Sequence, residues 1–159
     1  MAPELSLPPQ VASPTDLGRL LREITMVNEN MLQLSIRAGG STTKMVKISR
    51  LMDLMTEYNK LNLLRESDRQ ALKQYLEAVK QSAPRLHFSF GADPAPVFIE
   101  KLVSWLRREI SPHLLITVGL QPNIGAGCIV RSNSRQYDFS LGKTFEQKRG
   151  LLLKQLKPA

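Results

Sequence analysis

The chain has 159 residues, of which 42% are hydrophobic and 23% charged, and its formal net charge is +8. A single cysteine excludes an internal disulfide framework and a cysteine-rich zinc site, and indicates a reducing, cytoplasmic setting. No stretch approaches the roughly 18 uninterrupted apolar residues of a membrane-spanning helix. The positive charge favours an acidic partner, which could be nucleic acid, an anionic membrane surface or an acidic protein face.

The first half of the chain has the pattern of a small helical bundle. Residues 1–13 contain three prolines and are predicted to be a disordered tail, without the apolar core of a signal peptide. A helical domain of about three helices is predicted over residues 14–82. Its first helix would be capped by Thr15 or Asp16 and stop near Gly39-Gly40, and the third would begin at a capping box over residues 67–70.

Ala83-Pro84 ends the helical pattern, because proline disfavours helix at the residue before it and cannot continue one. We place a domain boundary there, with a second domain over residues 85–159. Alternation predicts a strand at 86–90, and a helix follows with an apolar stripe that includes Trp105 as a core residue. Strands at 114–118, 128–130 and 136–139 and a terminal helix complete the pattern. The predicted fold is α+β: a small N-terminal helical bundle followed by a compact β-α-β-β-β-α module.

Residues 125–128 raise two enzymatic alternatives, and the sequence favours neither. Gly125-Ala126-Gly127 is half of a G-x-G-x-x-G fingerprint, but it leads into a strand rather than opening a helix, as dinucleotide binding requires. Cys128 lies in that strand without a sign of a lowered pKa, so we expect a buried, inert thiol. His87 and His113 match no metal-ligand spacing. We predict no catalytic residue, no metal site and no cofactor.

The clearest functional signal is the charge of the C-terminal segment. From residue 132 onward the chain has only two acidic residues, Asp138 and Glu146. It has six basic residues there: Arg135, Lys143, Lys148, Arg149, Lys154 and Lys157. One hypothesis is nucleic-acid binding, which would need exposed aromatic side chains beside these charges, and no RNP-like motif is present. The other is a basic amphipathic helix that docks on an acidic partner helix.

The segment "LLITVGLQPNIGAGCIVRSNSRQYDFSLGKTF" resembles the C-terminal signature of the ATP synthase delta subunit family, which includes the oligomycin sensitivity conferring protein. That signature has a small-residue pair ending in glycine, three apolar residues and an arginine, a short turn, and Asp-x-Ser before the final helix. Ala126-Gly127, Arg131, Asp138 and Ser140 stand at those spacings. The resemblance covers roughly residues 85–157, whereas the helical domain is shorter than the six helices usual in the family.

The resemblance implies a non-catalytic stator subunit of an F-type proton-translocating ATP synthase, joining the alpha subunit of the catalytic head to the b subunit of the peripheral stalk. It further implies a peripheral position on the cytoplasmic face of a bacterial inner membrane, held there through partners, without direct nucleic-acid binding. The expected stalk-binding residues are Lys143, Lys148, Arg149 and Lys154. We expect structural roles for the motif: Gly127 at a tight strand entry, Asp138 bonded to turn amides or paired with Arg131, and Ser140 as helix cap.

Overall fold

The computed structural model describes residues 5–37 and 47–156, and its elements follow the predicted order. In chain order they are α1 (Pro14–Arg37), α2 (Arg50–Asn59), α3 (Glu66–Ser82), β1 (Arg85–Phe90), α4 (Pro96–Glu109), β2 (Leu115–Leu120), a 3-10 turn (Pro122–Ile124), β3 (Cys128–Arg131), β4 (Gln136–Asp138) and α5 (Leu141–Leu156). The prediction of an α+β fold with N-terminal helices is confirmed. The predicted helix stop at Gly39-Gly40 lies outside the described residues.

Two compact units divide the chain. The helical unit contains the described part of residues 1–84 together with Glu100–Leu115. The sheet unit contains Arg85–Ile99 together with the described part of residues 116–159. In the helical unit, the apolar stripes of α1, α2 and α3 share one core, whose most buried members are Leu17, Leu20, Ile24, Met52, Met55, Leu72 and Leu76.

Helix α1 is capped earlier than the sequence predicts. The backbone amide of Ser13 donates to Asp16 Oδ2 at 3.1 Å, and the amide of Asp16 donates to Ser13 Oγ at 3.1 Å. Ser13 is therefore the cap, and Asp16 lies in the first turn as its reciprocal partner. The prediction of Thr15 or Asp16 as cap was wrong because proline, here Pro14, is favoured as the first residue of a helix.

The capping box predicted at residues 67–70 is also wrong. Helix α3 begins at Glu66, and Arg65 in the cap position makes no side-chain capping bond. The carboxylate of Asp68 instead accepts a hydrogen bond of 2.9 Å from the backbone amide of Asn62. This bond lowers the pKa of Asp68, and it ties the start of α3 to the connection that precedes it.

A buried arginine, Arg69, fastens that connection to α1. Its side chain donates to Asn28 Oδ1 at 2.6 Å and to the carbonyl oxygens of Leu63 and Leu64 at 2.8 and 3.0 Å. Only 7% of Arg69 is exposed. Since buried polar groups are costly unless hydrogen-bonded, these carbonyls explain how a guanidinium is accommodated in the helical unit.

Residues 5–13, which we call the N-terminal strap, are not the disordered tail expected from their prolines. Leu7 and Val11 are buried in the helical core. Arg107 holds the strap by donating to the carbonyl oxygens of Leu7, Pro8 and Val11 at 3.0, 2.9 and 2.6 Å. The strap is ordered because two apolar side chains enter the core while its carbonyls receive donors from a single arginine.

Tyr75 adds a titratable group to the helical unit. Its hydroxyl lies 3.3 Å from His113 Nδ1, and the two rings meet edge to face with centroids 5.7 Å apart. Burial raises the pKa of Tyr75 from 10.0 to about 12, although the charge of Arg107 acts in the opposite direction. The folded state therefore favours the protonated phenol.

We expect this phenol to make unfolding depend on alkaline pH. The Tyr75 phenol loses its proton near pH 10 in the unfolded chain and near pH 12 in the folded chain. Its contribution to the free energy of unfolding is therefore complete below pH 10. It should be lost as the pH rises from 10 towards 12, and Tyr75→Phe should flatten that part of the profile. Denaturant unfolding of both proteins at several pH values checks this, and parallel profiles would contradict it.

The strands of the sheet lie in the order β2-β1-β3-β4. Strand β3 pairs antiparallel with β1, placing His87 opposite Arg131, and with β4, placing Arg131 opposite Gln136. Aromatic contacts support one face, where the ring centroids of Phe88 and Phe90 are 6.0 Å apart. The order of these strands determines which side chains come together at the C-terminal end of the chain.

Trp105 is not the core residue that the sequence predicts. Helix α4 buries Val103 and Leu106, while Trp105 is 51% exposed. Ile110, the apolar residue that directly follows this helix, is exposed as well. The error arises because apolar residues surround much of this helix, so that spacing alone does not identify the buried side.

Candidate functional site

The motif residues form a joint between β3, β4 and the start of α5. Gly127 enters β3 with a φ of 89°, and a Cβ added to it would lie 2.3 Å from the carbonyl oxygen of Phe139. The carbonyl of Ala126 accepts from the amide of Leu141 at 2.9 Å. Two backbone segments thus pass each other at a distance that leaves no room for a side chain at Gly127.

Asp138 and Ser140 belong to the same joint. The amide of Ser140 donates to Asp138 Oδ1 at 2.9 Å, so Asp138 satisfies a backbone amide at the turn into α5. Ser140 directly precedes the first residue of α5, and its role as a cap stays a prediction. The strand register places Gln136 opposite Arg131, and Arg131 Nε donates to Gln136 Oε1 at 2.9 Å.

From this joint extends a surface of exposed apolar and basic side chains, which we call the C-terminal surface. Every side chain of α5 that the structure describes is exposed. The largest apolar members of the surface are Phe139 at 62%, Phe145 at 61%, Leu153 at 53%, Leu141 at 48% and Tyr137 at 46% exposure. Adjacent exposed apolar residues of this size are typical of a site of interaction with another molecule.

Positive charge accompanies these apolar residues. Lys148, Arg149 and Lys154 are exposed on α5, whereas the side chain of Lys143 and all of Lys157 lie outside the described residues. Lys148 and Arg149 follow Phe145 by three and four positions, so helical geometry places both one turn beyond it. A partner that covers Phe145 would therefore meet two cations beside the apolar contact.

Sequence reasoning found the cations of this surface but missed its aromatic part. Tyr137 and Phe139 stack with ring centroids 6.3 Å apart and planes inclined by 17°. Alternation along β4 predicts that one side of the strand is buried, but β4 has three residues at the edge of the sheet, and all are exposed. The signal available in the sequence was the Tyr-x-Phe spacing directly before a basic helix.

The chemistry of the other candidate residues is unlike that of a catalytic centre. Cys128 is half-buried rather than the buried thiol that the sequence predicts, and this partial burial raises the pKa of its thiol, which is the opposite of the shift that activates a nucleophile. His87 Nδ1 lies 2.8 Å from Thr117 Oγ1. Within residues 5–37 and 47–156, no cluster of three histidine, cysteine or acidic side chains forms a metal site. The C-terminal surface is therefore the best-defined candidate site.

No protein-family model matches the chain, and no curated protein matches it. None of the described helices has the length and apolar character needed to cross a membrane.

Proposed function

We propose that this chain is a non-catalytic stator subunit of an F-type proton-translocating ATP synthase, linking the alpha subunit of the catalytic head to the b subunit of the peripheral stalk. The observation that carries the proposal is the joint of Ala126, Gly127, Asp138 and Ser140, from which an exposed helix extends. Together with Arg131, these are the residues through which the chain resembles the delta subunit family. The function is mechanical and needs no cofactor: it prevents the head from turning with the central stalk.

The C-terminal surface supports a protein partner in this role. Exposed Phe145 supplies apolar area, and Lys148 and Arg149 supply the charge that an acidic amphipathic stalk helix would meet. Binding through such helices would hold the chain at the cytoplasmic face of a bacterial inner membrane without lipid contact of its own. The helical unit would then be available to the head.

Co-purification tests the proposal directly. Tagged full-length chain is incubated with detergent-solubilised membranes of the source organism, and the recovered subunits are identified by mass spectrometry. We expect the wild type to recover both alpha and b subunits, and the Lys148→Glu/Arg149→Glu variant to recover at least about tenfold less b, since like-charge contacts are repulsive. Recovery of neither subunit by the wild type would contradict the stator function.

A matched control separates local from overall charge. Lys47→Glu/Arg50→Glu makes the same change in net charge at exposed positions of the helical unit. We expect this variant to recover b as the wild type does. Equal loss of b in both variants would mean that net charge, rather than the C-terminal surface, governs binding.

A small basic nucleic-acid-binding protein is the alternative, and one observation favours it. Tyr137 and Phe139 are exposed and stacked next to a basic helix, and exposed aromatic rings can stack on unpaired bases. This function predicts binding to arbitrary single-stranded DNA or RNA, with an affinity that falls steeply as salt rises. Tyr137→Ala and Phe139→Ala should then weaken oligonucleotide binding. A stator subunit, in contrast, should not bind these oligonucleotides.

A further inference from the structure

A row of four polar side chains crosses the whole sheet on one face. Thr117 on β2 contacts His87 on β1 through the 2.8 Å bond between Oγ1 and Nδ1. His87 lies opposite Arg131 on β3, and Arg131 lies opposite Gln136 on β4. Directly opposed residues share a face of the sheet. We call Thr117, His87, Arg131 and Gln136 the polar row.

The bond between Arg131 and Gln136 determines which groups the row presents. Arg131 Nε donates to Gln136 Oε1 at 2.9 Å, which uses the acceptor of the amide and one donor of the guanidinium. The two terminal nitrogens of Arg131 and the amide nitrogen of Gln136 remain as donor groups, and both residues are exposed. No acidic residue belongs to the row, although Asp138 flanks Gln136 on the same face, and donors of this kind are suited to an oxyanion.

The dimensions of the row favour an extended ligand over a small ion. Strands in a sheet are spaced about 4.8 Å apart, so the three intervals from β2 to β4 span roughly 14 Å. One phosphate or sulfate would contact a single pair of side chains, whereas successive carboxylates of a peptide could contact exposed Arg131 and Gln136 and extend toward half-buried His87 and Thr117. Arg85, two residues before His87 on β1, lies on the same face of the sheet.

We propose that the polar row binds a carboxylate-rich segment of a partner protein, with the Arg131–Gln136 pair as its principal contact. The acidic residue nearest to the row on β4 is Asp138, whose carboxylate accepts from the amide of Ser140. The row lies on the strands of the sheet and not on α5, and its binding would persist whether or not the chain is a stator subunit.

NMR titration of the full-length chain tests the row, with the Arg131 Nε–H and Gln136 amide signals as reporters and a hexaglutamate peptide as probe. We expect saturable shifts of both signals. Arg131→Gln should weaken binding about three- to tenfold, since an exposed charge-assisted contact is lost. The matched control is Arg135→Gln, which makes the same change in net charge in the adjoining hairpin and should weaken binding less than twofold.

Three outcomes would overturn the proposal. Equal weakening by Arg131→Gln and Arg135→Gln would mean that the peptide responds to general charge. Equal or larger shifts with inorganic phosphate would mean that the row binds small anions. Tighter binding of a six-nucleotide oligothymidylate, with the same reporters shifted, would assign the row to nucleic acid.

Discussion

Replacing Arg107 with methionine is expected to lower the free energy of unfolding by about 2–4 kcal/mol, because several partly buried carbonyl groups each lose one hydrogen-bond donor. The guanidinium bonds three carbonyls of the strap and, through Nε, the carbonyl of Leu114 at 3.1 Å. Methionine retains much of the apolar stem but supplies no N–H group. The loss should therefore reflect hydrogen bonds more than packing.

Arg108 provides the matched control one position along the same helix. Its side chain is 72% exposed and pairs with Glu109 at 2.9 Å. Exposed pairs of this kind contribute little, so Arg108→Met should change the free energy of unfolding by less than about 1 kcal/mol. Urea unfolding of both variants measures the difference. Equal losses would show that Arg107 does not hold the strap.

A double-mutant cycle connects the arginine to the strap itself. Val11 is fully buried, and its carbonyl accepts from Arg107 Nη2 at 2.6 Å. If Arg107 stabilises the protein by holding the strap in the core, the effects of Arg107→Met and Val11→Ala should not add. Additive effects would assign the contribution of Arg107 to its bond with Leu114 alone.

The strap illustrates which part of the fold the sequence could not predict. Local periodicity predicted the order of helices and strands because each pattern depends on neighbouring residues. The contact between Arg107 and Leu7 joins residues 100 positions apart, and no local pattern indicates it. Residues 1–13 contain three prolines, and proline is common in disordered segments. The two apolar residues that the structure buries, Leu7 and Val11, were too few to indicate an ordered segment.

The candidate site, like the fold, was only partly predictable from the sequence. The basic residues of α5 could be predicted because they follow from counting charges along one helix. The polar row could not, since it requires the register that sets His87 opposite Arg131 and Arg131 opposite Gln136. The motif spacing offered Asp138 either turn amides or Arg131 as its partner, and only the register shows that Ile129 is the residue directly opposite Asp138. A shift of two residues along an antiparallel strand changes the partner without changing the face.

Replacing Gly127 with alanine is expected to lower the free energy of unfolding by about 3 kcal/mol, because the new side chain meets two penalties. The φ of 89° is unfavourable for an L-residue, and the added Cβ would lie 2.3 Å from the carbonyl oxygen of Phe139. Since that atom belongs to the backbone, relief requires the segment leading into α5 to move. The joint that positions the C-terminal surface would be displaced.

Gly125→Ala separates the two penalties. Gly125 has a φ of 69° and a ψ of −72°, but an added Cβ would meet nothing within 4 Å, so conformational strain acts there alone and should cost about 1–2 kcal/mol. Denaturant unfolding of both variants gives the comparison, and backbone amide shifts of residues 138–142 report movement of the joint. If Gly127→Ala costs no more than Gly125→Ala and leaves those shifts unchanged, the approach of Phe139 to Gly127 does not position α5. A larger cost with displaced amides, together with weaker recovery of the b subunit, would connect the glycine to partner binding through the geometry of the joint.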